Sequence, residues 1–341
     1  FGASVPLAKG LLATVPPQTL AGLLYLGAGL GLGGIAWARR QRGRRVEASL
    51  SRADLPWLAL AIGFGGVVAP VLLLAGLTRT PASAGALLLN LEGVFTALIA
   101  WTLFRENVDR RIALGMAAIV AGGALLSWGG RAEWGGLLGP LAVAAACLCW
   151  GIDNNLTRKV SAGDPVQIAA LKGIVAGPVN LGLGFWLEGG MPAPAGAAAA
   201  LAVGFVSYGL SLMLYVRALR DLGAARTGAY FSAAPFFGAG LGLALWQDPV
   251  TPLFVAAATL MGIGLWLHLT ERHEHWHVHE PLVHDHLHVH DEHHRHEHAS
   301  GEQPGEPHSH PHHHAPLAHG HPHYPDLHHR HAHGRGSDKQ G

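Results

Sequence analysis

Residues 150–170 read WGIDNNLTRKVSAGDPVQIAA, and residues 1–21 read FGASVPLAKGLLATVPPQTLA. At an offset of 149, Phe1-Gly2 falls on Trp150-Gly151, Lys9 on Arg158, Pro16 on Pro165, Gln18 on Gln167 and Ala21 on Ala170. The echo runs on to residues 38 and 187. A second stretch matches with small shifts: Ala61-Ile62-Gly63-Phe64 resembles Ala202-Val203-Gly204-Phe205, and Gly122 falls opposite Gly262. The first part of the chain is therefore an internal duplication, and what each copy contains decides the fold.

Each copy is apolar. Hydrophobic residues make up 50% of the 341-residue chain and charged residues 13%, about half the usual ~25% of a soluble protein. All 25 histidines lie at or after His268, and residues 270–341 hold 16 of the 45 formal charges. The rest of the chain is too poor in charge for a soluble enzyme or a disordered chain, and two cysteines cannot make a secreted disulfide scaffold. The net charge of +1 sums a basic first part and an acidic tail.

Apolar windows recur at about 17–37, 55–77, 82–103, 112–128, 136–157, 166–187, 196–216, 229–246 and 253–269. A crossing helix needs ~20 residues, and lipid admits no isolated strand because its backbone would be unpaired. Residues 1–12 are apolar but short, and are read as the second half of a first span; a cleaved leader is the weaker rival, since the run carries Pro6 and Lys9 and no fitting small-residue cleavage site. The expected fold is an all-α integral membrane protein of ten transmembrane helices in two five-helix repeats: residues 1–128, with the first helix truncated, and residues 129–269. An odd number of crossings per repeat inserts the second copy upside down. Inverted repeats are typical of secondary transporters, with the solute site between the halves; a channel or a membrane enzyme are lesser alternatives.

Basic residues set the orientation. Arg39, Arg40, Arg42, Arg44, Arg45, Arg52, Arg105, Arg110, Arg111, Arg158, Lys159, Arg217, Arg220 and Arg226 follow even-numbered spans, whereas Lys9, Arg79 and Arg131 lie at the other loops. This places the protein in the cytoplasmic (inner) membrane with both termini and the tail inside.

The pattern resembles the EamA family of the drug/metabolite transporter superfamily. The residues that carry the resemblance are Phe1-Gly2-Ala3-Ser4 and Trp150-Gly151, the run Asn90-Leu91-Glu92-Gly93-Val94-Phe95-Thr96-Ala97 ending in Arg105-Glu106, and Ala234-Pro235-Phe236-Phe237 ending in Gln247-Asp248. The family pattern has Glu-Pro in these helices and Gly-Glu at their ends. This chain keeps Glu92 with Gly93 after it, and Pro235 with Ala234 before it. The resemblance implies a carrier of small metabolites or amino-acid-like solutes, often exported, and no nucleotide-hydrolysing domain. One intramembrane acid in place of two argues against a symmetric coupling scheme.

Polar residues inside spans are costly and mark candidate sites. Glu92 lies at the middle of its span, as a proton-accepting carboxylate, a hook for a substrate cation or a neutral acid bonded across helices. Asn90 lies two residues away. Asp153 is read as an interfacial cap, while Asn154 and Asn155 lie deeper. Lys172 either snorkels to the interface or faces the cavity and pairs with a carboxylate such as Asp153. Tyr208, Ser211 and Tyr215 form one helical stripe, and Tyr230 and Ser232 open the ninth span. The candidate substrate and coupling residues are Glu92, Asn90, Asn154, Asn155, Lys172, Tyr208 and Tyr230. Interhelical hydrogen bonds under ~1 kcal/mol are the bland alternative for each. Gly29 with Gly33, and Gly238 with Gly242, have the four-residue spacing of close helix packing. Cys147 and Cys149, two apart on a helix, face different sides and are read as packing residues.

The tail, residues 270–341, is a separate message. It lacks the apolar residues for a core and is expected to be disordered. Residues 279–298 (HEPLVHDHLHVHDEHHRHEH) recur at 314–333 (HAPLAHGHPHYPDLHHRHAH), with twelve of twenty positions identical. In an extended chain His-x-His puts successive imidazoles on one side, and neutral imidazole suits Zn²⁺, Ni²⁺ or Co²⁺. The candidate ligands are His284, His286, His288, His293, His294, His296, His319, His321, His323, His328, His329 and His331. The tail is read first as a metal buffer or sensor regulating the carrier. The alternatives are that it feeds metal to a metal-exporting pore, or that it switches charge with pH from its formal −6 (five Lys/Arg, eleven Asp/Glu). A non-transporting membrane metal or pH sensor is the reading from another class. No cofactor is required for transport. The partners implied are a small-molecule solute, the lipid bilayer and divalent metal at the tail, with no nucleic acid; a monomer and a homodimer both remain open.

Overall fold

The computed structural model describes residues 1–41, 50–104, 110–127, 134–161, 163–190, 192–218 and 231–270, and the backbone of four short stretches beyond. Through residue 270 these are almost wholly helical. Eight helices are long and apolar enough to cross a membrane: span 2 (Pro17–Gln41), span 3 (Leu55–Leu77), span 4 (Ala82–Leu103), span 5 (Arg110–Ser127), span 6 (Leu137–Val160), span 7 (Pro165–Glu188), span 8 (Pro194–Ala218) and span 10 (Pro252–Leu269). Span 1 (Ser4–Leu11) and span 9 (Ala234–Trp246) are shorter apolar helices. The ten positions are those expected from the apolar windows.

Exposed apolar side chains explain why this bundle needs lipid. Trp37, Leu103, Phe185, Trp186 and Phe237 are each 66% or more exposed. In water so many large apolar side chains would be an aggregation surface; in a bilayer they face acyl chains. The interior is close-packed around Leu20, Leu24, Leu73, Leu74, Leu87 and Leu88.

Spans 2 and 7 form the tightest pair, one from each half. A methyl group built on Gly173 would stand 2.3 Å from the Gly29 nitrogen, so neither position has room for a side chain. Glycine is what brings the two backbones into contact. Gly238 and Gly242 do the same for span 9, lying against the Gly2 carbonyl and the Ser83 backbone. Span 9 thus seals against span 1 and the first half of span 4 (Ala82–Leu88), whereas the second half of span 4 (Asn90–Phe104) packs on span 6.

Spans 3 and 8, equivalent in the two repeats, each contain a π-helical stretch, Ile62–Val68 and Phe205–Leu210. In span 3 the cause and the consequence are both visible. The Ala69 N–H bonds to the Phe64 carbonyl, one residue further back than in an α-helix, and Pro70 has no N–H to give. The carbonyls of Gly65 and Gly66 are left free for side chains. Tyr25 donates to Gly65 O at 2.6 Å and Trp150 Nε1 to the same atom at 3.0 Å, while Asn180 donates to Gly66 O at 2.9 Å. The Asn180 side-chain oxygen accepts from Gln18 in turn, at 3.1 Å.

Beyond Thr270, Glu274–Val278 pairs antiparallel with Ala318–Pro322, and Leu282–His288 with His308–His314. An isolated two-stranded ribbon is marginal in water. Apart from Trp276, Val278, Leu282, Val283, Leu287 and Ala318, the paired segments are mostly His with other polar residues, Gly and Pro.

Candidate functional site

The two halves enclose a cavity of ≈ 60 Å³, mostly apolar in lining with a few polar groups turned into it, room for a few water molecules at most. Its wall includes Glu92 from span 4, Asp153 and Asn154 from span 6, Lys172 from span 7, and Ser207 and Tyr208 from the π-helical part of span 8. Phe1, Tyr25, Trp150, Tyr215 and Phe231 complete an aromatic lining. Tyr25 and Tyr208 meet at 5.4 Å between ring centroids, and Phe1 and Phe231 at 4.9 Å. Glu92 stands half-way along its span; Lys172 lies seven residues from the start of span 7 at Pro165, ~10 Å at helical rise. The cavity thus runs from mid-depth toward the arginine-rich end.

Glu92 is partly exposed to this space. Its Oε1 accepts from Asn154 Nδ2 at 2.9 Å, which ties the first half to the second. The same amide lies 3.2 Å from Thr96 Oγ1. Among the described residues no donor reaches Oε2. Span 4 breaks just before this point: the helix ends at Leu88 and restarts at Asn90. Asn90 serves that break by donating to Leu87 O at 2.9 Å, and its own Oδ1 is buried without a partner among the described residues. Asn155 is likewise turned to backbone, donating to Gly151 O at 2.8 Å and Thr96 O at 3.1 Å.

Lys172 does not reach the interface. It is 3% exposed, with Nζ 2.5 Å from Asp153 Oδ1 and 2.7 Å from Thr157 Oγ1, and Thr157 also donates to Asp153 Oδ1 at 2.8 Å. Asp153, read from the sequence as an interfacial cap, is the buried half of an ion pair. Its Oδ2 presses on Gly65, where a methyl group would stand 2.0 Å away. The π-helical segment therefore touches the site twice, through the Gly65 carbonyl and through its missing side chain.

Of the residues singled out in the sequence, Glu92, Asn154, Lys172 and Tyr208 share the cavity, joined by Ser211 and Tyr215 of the same stripe. Asn90 and Asn155 sit beside it on backbone duty. Tyr230 lies outside the described residues. Tyr25, Trp150, Phe231, Phe1 and Ser207 were not picked out as site residues; the signal available was that aromatic residues stand at mid-span as well as at the interfaces. Cys147 is buried with Sγ toward Leu88 O. Among the described residues, no three His, Cys, Asp or Glu side chains group to hold a metal ion. In the tail, the strand register sets His284, His286 and His288 opposite His312, His310 and His308, and His319 and His321 opposite His277 and His275. His293, His294, His296, His323, His328, His329 and His331 lie outside the described residues.

A duplicated helical unit around a mid-depth cavity is the arrangement that comparison with known proteins bears on. The sequence profile of the EamA-like transporter family matches residues 1–128 and again 137–270. The chain belongs to the EamA-like transporter family. An uncharacterized transporter of Methanothermobacter thermautotrophicus (strain Delta H) is 29% identical over 283 residues, spanning 78% of this chain and 82% of that protein. A protein of known crystal structure superposes with a TM-score of 0.59 at 19% identity, covering 78% of this chain and 91% of its own; at that identity the likeness speaks for the fold alone. The EamA chain is thus a multi-pass membrane transporter.

Proposed function

We propose that this EamA protein is a secondary transporter that exports a small metabolite or amino-acid-like solute across the cytoplasmic membrane by alternating access, with the arginine-rich end and both termini inside. The observation that carries this reading is Glu92: a carboxylate at mid-span, open to the cavity on one side and held on the other by Asn154 of the opposite half. A group so placed binds the solute or a coupling proton and feels any movement of one half against the other. Lys172 and Asp153 set the electrostatics of the wall, Tyr208 and Trp150 its shape.

The tail is proposed to bind Zn²⁺, Ni²⁺ or Co²⁺ through its His-x-His runs and to regulate the carrier, not to feed it. The described cavity wall holds no His or Cys, whereas a pore for these metals calls for such ligands.

The test is solute counterflow in liposomes with the full chain, screening amino acids, amines and other small metabolites. Flux that depends on Glu92 is the expected result; a Glu92→Gln variant that transports normally across about pH 5.5–8 removes that residue from the mechanism.

A further inference from the structure

The charges on the cavity wall favour one class of solute. Three charged side chains line the cavity among the described residues: Glu92, Asp153 and Lys172. Two of them answer each other. Lys172 Nζ lies 2.5 Å from Asp153 Oδ1 and gives a second bond to Thr157. Lys172, Asp153 and Thr157 all belong to the second half, on the consecutive spans 6 and 7. An incoming anion would have to displace a carboxylate already in place, in surroundings where separating a buried pair is expensive. Glu92 is in the opposite situation. The hydrogen bond to its carboxylate among the described residues comes from a neutral amide, Asn154, and no described cation forms an ion pair with it; Lys172, held on Asp153, acts on it only from a distance. The rest of the lining is aromatic, with Tyr25, Trp150, Tyr208 and Phe231 presenting rings that attract cations at their faces.

The geometry points to a cationic solute: an amine with its ammonium group at Glu92 and its apolar body extending past Phe1, Tyr215 and Phe231 into the adjoining ≈ 340 Å³ cavity that those residues also line, selected over zwitterions and anions of the same size. This rests on the reading of the cavity as the transport site, and the test separates the two.

Three probes share a phenyl ring and a two-carbon chain and differ in charge: phenethylamine, phenylalanine and 3-phenylpropionate. Their binding to the purified full chain is measured by calorimetry. Phenethylamine is expected to bind about tenfold more tightly than phenylalanine, with 3-phenylpropionate weaker still. Glu92→Gln keeps the contact with Asn154 and removes the charge, and should abolish the preference for the amine. Asp153→Asn releases Lys172 and should create affinity for 3-phenylpropionate; this second variant keeps the idea testable if the first does not fold. Equal or tighter binding of phenylalanine or 3-phenylpropionate by the unsubstituted chain overturns the proposal. So does failure of the amine to bind, or an amine preference that survives Glu92→Gln. If phenylalanine binds best and Glu92→Gln or Tyr208→Leu weakens it, charge selection fails while the site stands. If neither substitution changes binding of any probe, the cavity is not the solute site and both readings fall.

Discussion

Replacing Lys172 by methionine tests the centre of the site. The side chain keeps its length and loses its charge, so packing is nearly conserved and the effect falls on Asp153. That carboxyl is about 10% exposed and would be left with Thr157 alone. Removing one partner of a buried pair costs about 3–5 kcal/mol, whereas replacing both with neutral groups is near neutral. Lys172→Met should therefore lower stability by about 3 kcal/mol or more, a shift of roughly 150-fold in the unfolding equilibrium. The Asp153→Asn/Lys172→Met double variant should recover most of that loss. The measurement is denaturant unfolding in mild detergent of the parent, both single variants and the double. Strong non-additivity is the signature of the pair. The alternative open to the sequence was a lysine that snorkels to the interface, and it makes a different prediction: Lys172→Met within about 0.5 kcal/mol of the parent and additive with Asp153→Asn. That outcome would refute the pairing and the charge argument built on it.

Two further perturbations probe the frame and the tail. Asn180→Leu removes the donor to Gly66 O and the acceptor for Gln18 in a fully buried place, and should cost about 1–3 kcal/mol in the same unfolding assay; no change would mean that the carbonyls freed by Pro70 find other partners. Deleting residues 270–341 should abolish stoichiometric Ni²⁺ or Zn²⁺ binding, measured by metal analysis after dialysis, while counterflow persists; loss of solute flux together with metal binding would favour the metal-export alternative.

The fold could be read from the sequence because lipid leaves the chain few choices. Apolar windows of spanning length must be helices, and the pairing of Phe1-Gly2 with Trp150-Gly151 makes two equal sets of them. Three of the four spaced glycines were legible for the same reason: Gly29, Gly238 and Gly242 meet a neighbouring backbone, whereas a methyl on Gly33 would touch only the Ile174 side chain at 3.7 Å, so its spacing marks no close approach. The site was legible where a polar residue interrupts an apolar run, as at Glu92, Asn154 and Lys172. It was not legible where the outcome depends on helix rotation. Asp153 lies five residues from Arg158 and looked interfacial by depth, but the turn of span 6 carries it inward onto Lys172. Asn90 and Glu92, two apart, point to different sides of their helix, and only Glu92 meets the cavity. Tyr25 and Trp150 gave no contrast at all within apolar helices. What recruits them is the carbonyl of Gly65, freed by a π-helical shift whose mark in the sequence is Pro70 alone.

The packing of spans 4 and 9 says which part of the bundle has to move. At the end away from the arginines, span 9 lies directly on the first half of span 4. A methyl group on Gly242 would come within 2.8 Å of the Ser83 nitrogen. Asp248 closes the contact, its Oδ2 accepting from the Ser83 N–H at 2.8 Å. Lys9 reaches across from span 1 to the carbonyls of Leu77 and Thr80. This end is sealed, and the cavity lies toward the other. Alternating access requires the seal to open while spans 2 and 7, locked through Gly29 and Gly173, stay together. Cysteines at Ser83 and Asp248, whose side chain already bonds the Ser83 N–H, in a background with Cys147 and Cys149 changed to alanine, test this seal by disulfide formation, which needs Cβ atoms about 3.5–4.5 Å apart. The oxidised protein should bind solute and not transport it, and reduction should restore flux. Undiminished counterflow from protein shown by mass spectrometry to be fully cross-linked would mean that spans 4 and 9 do not part there, and the moving interface would have to be sought elsewhere in the bundle.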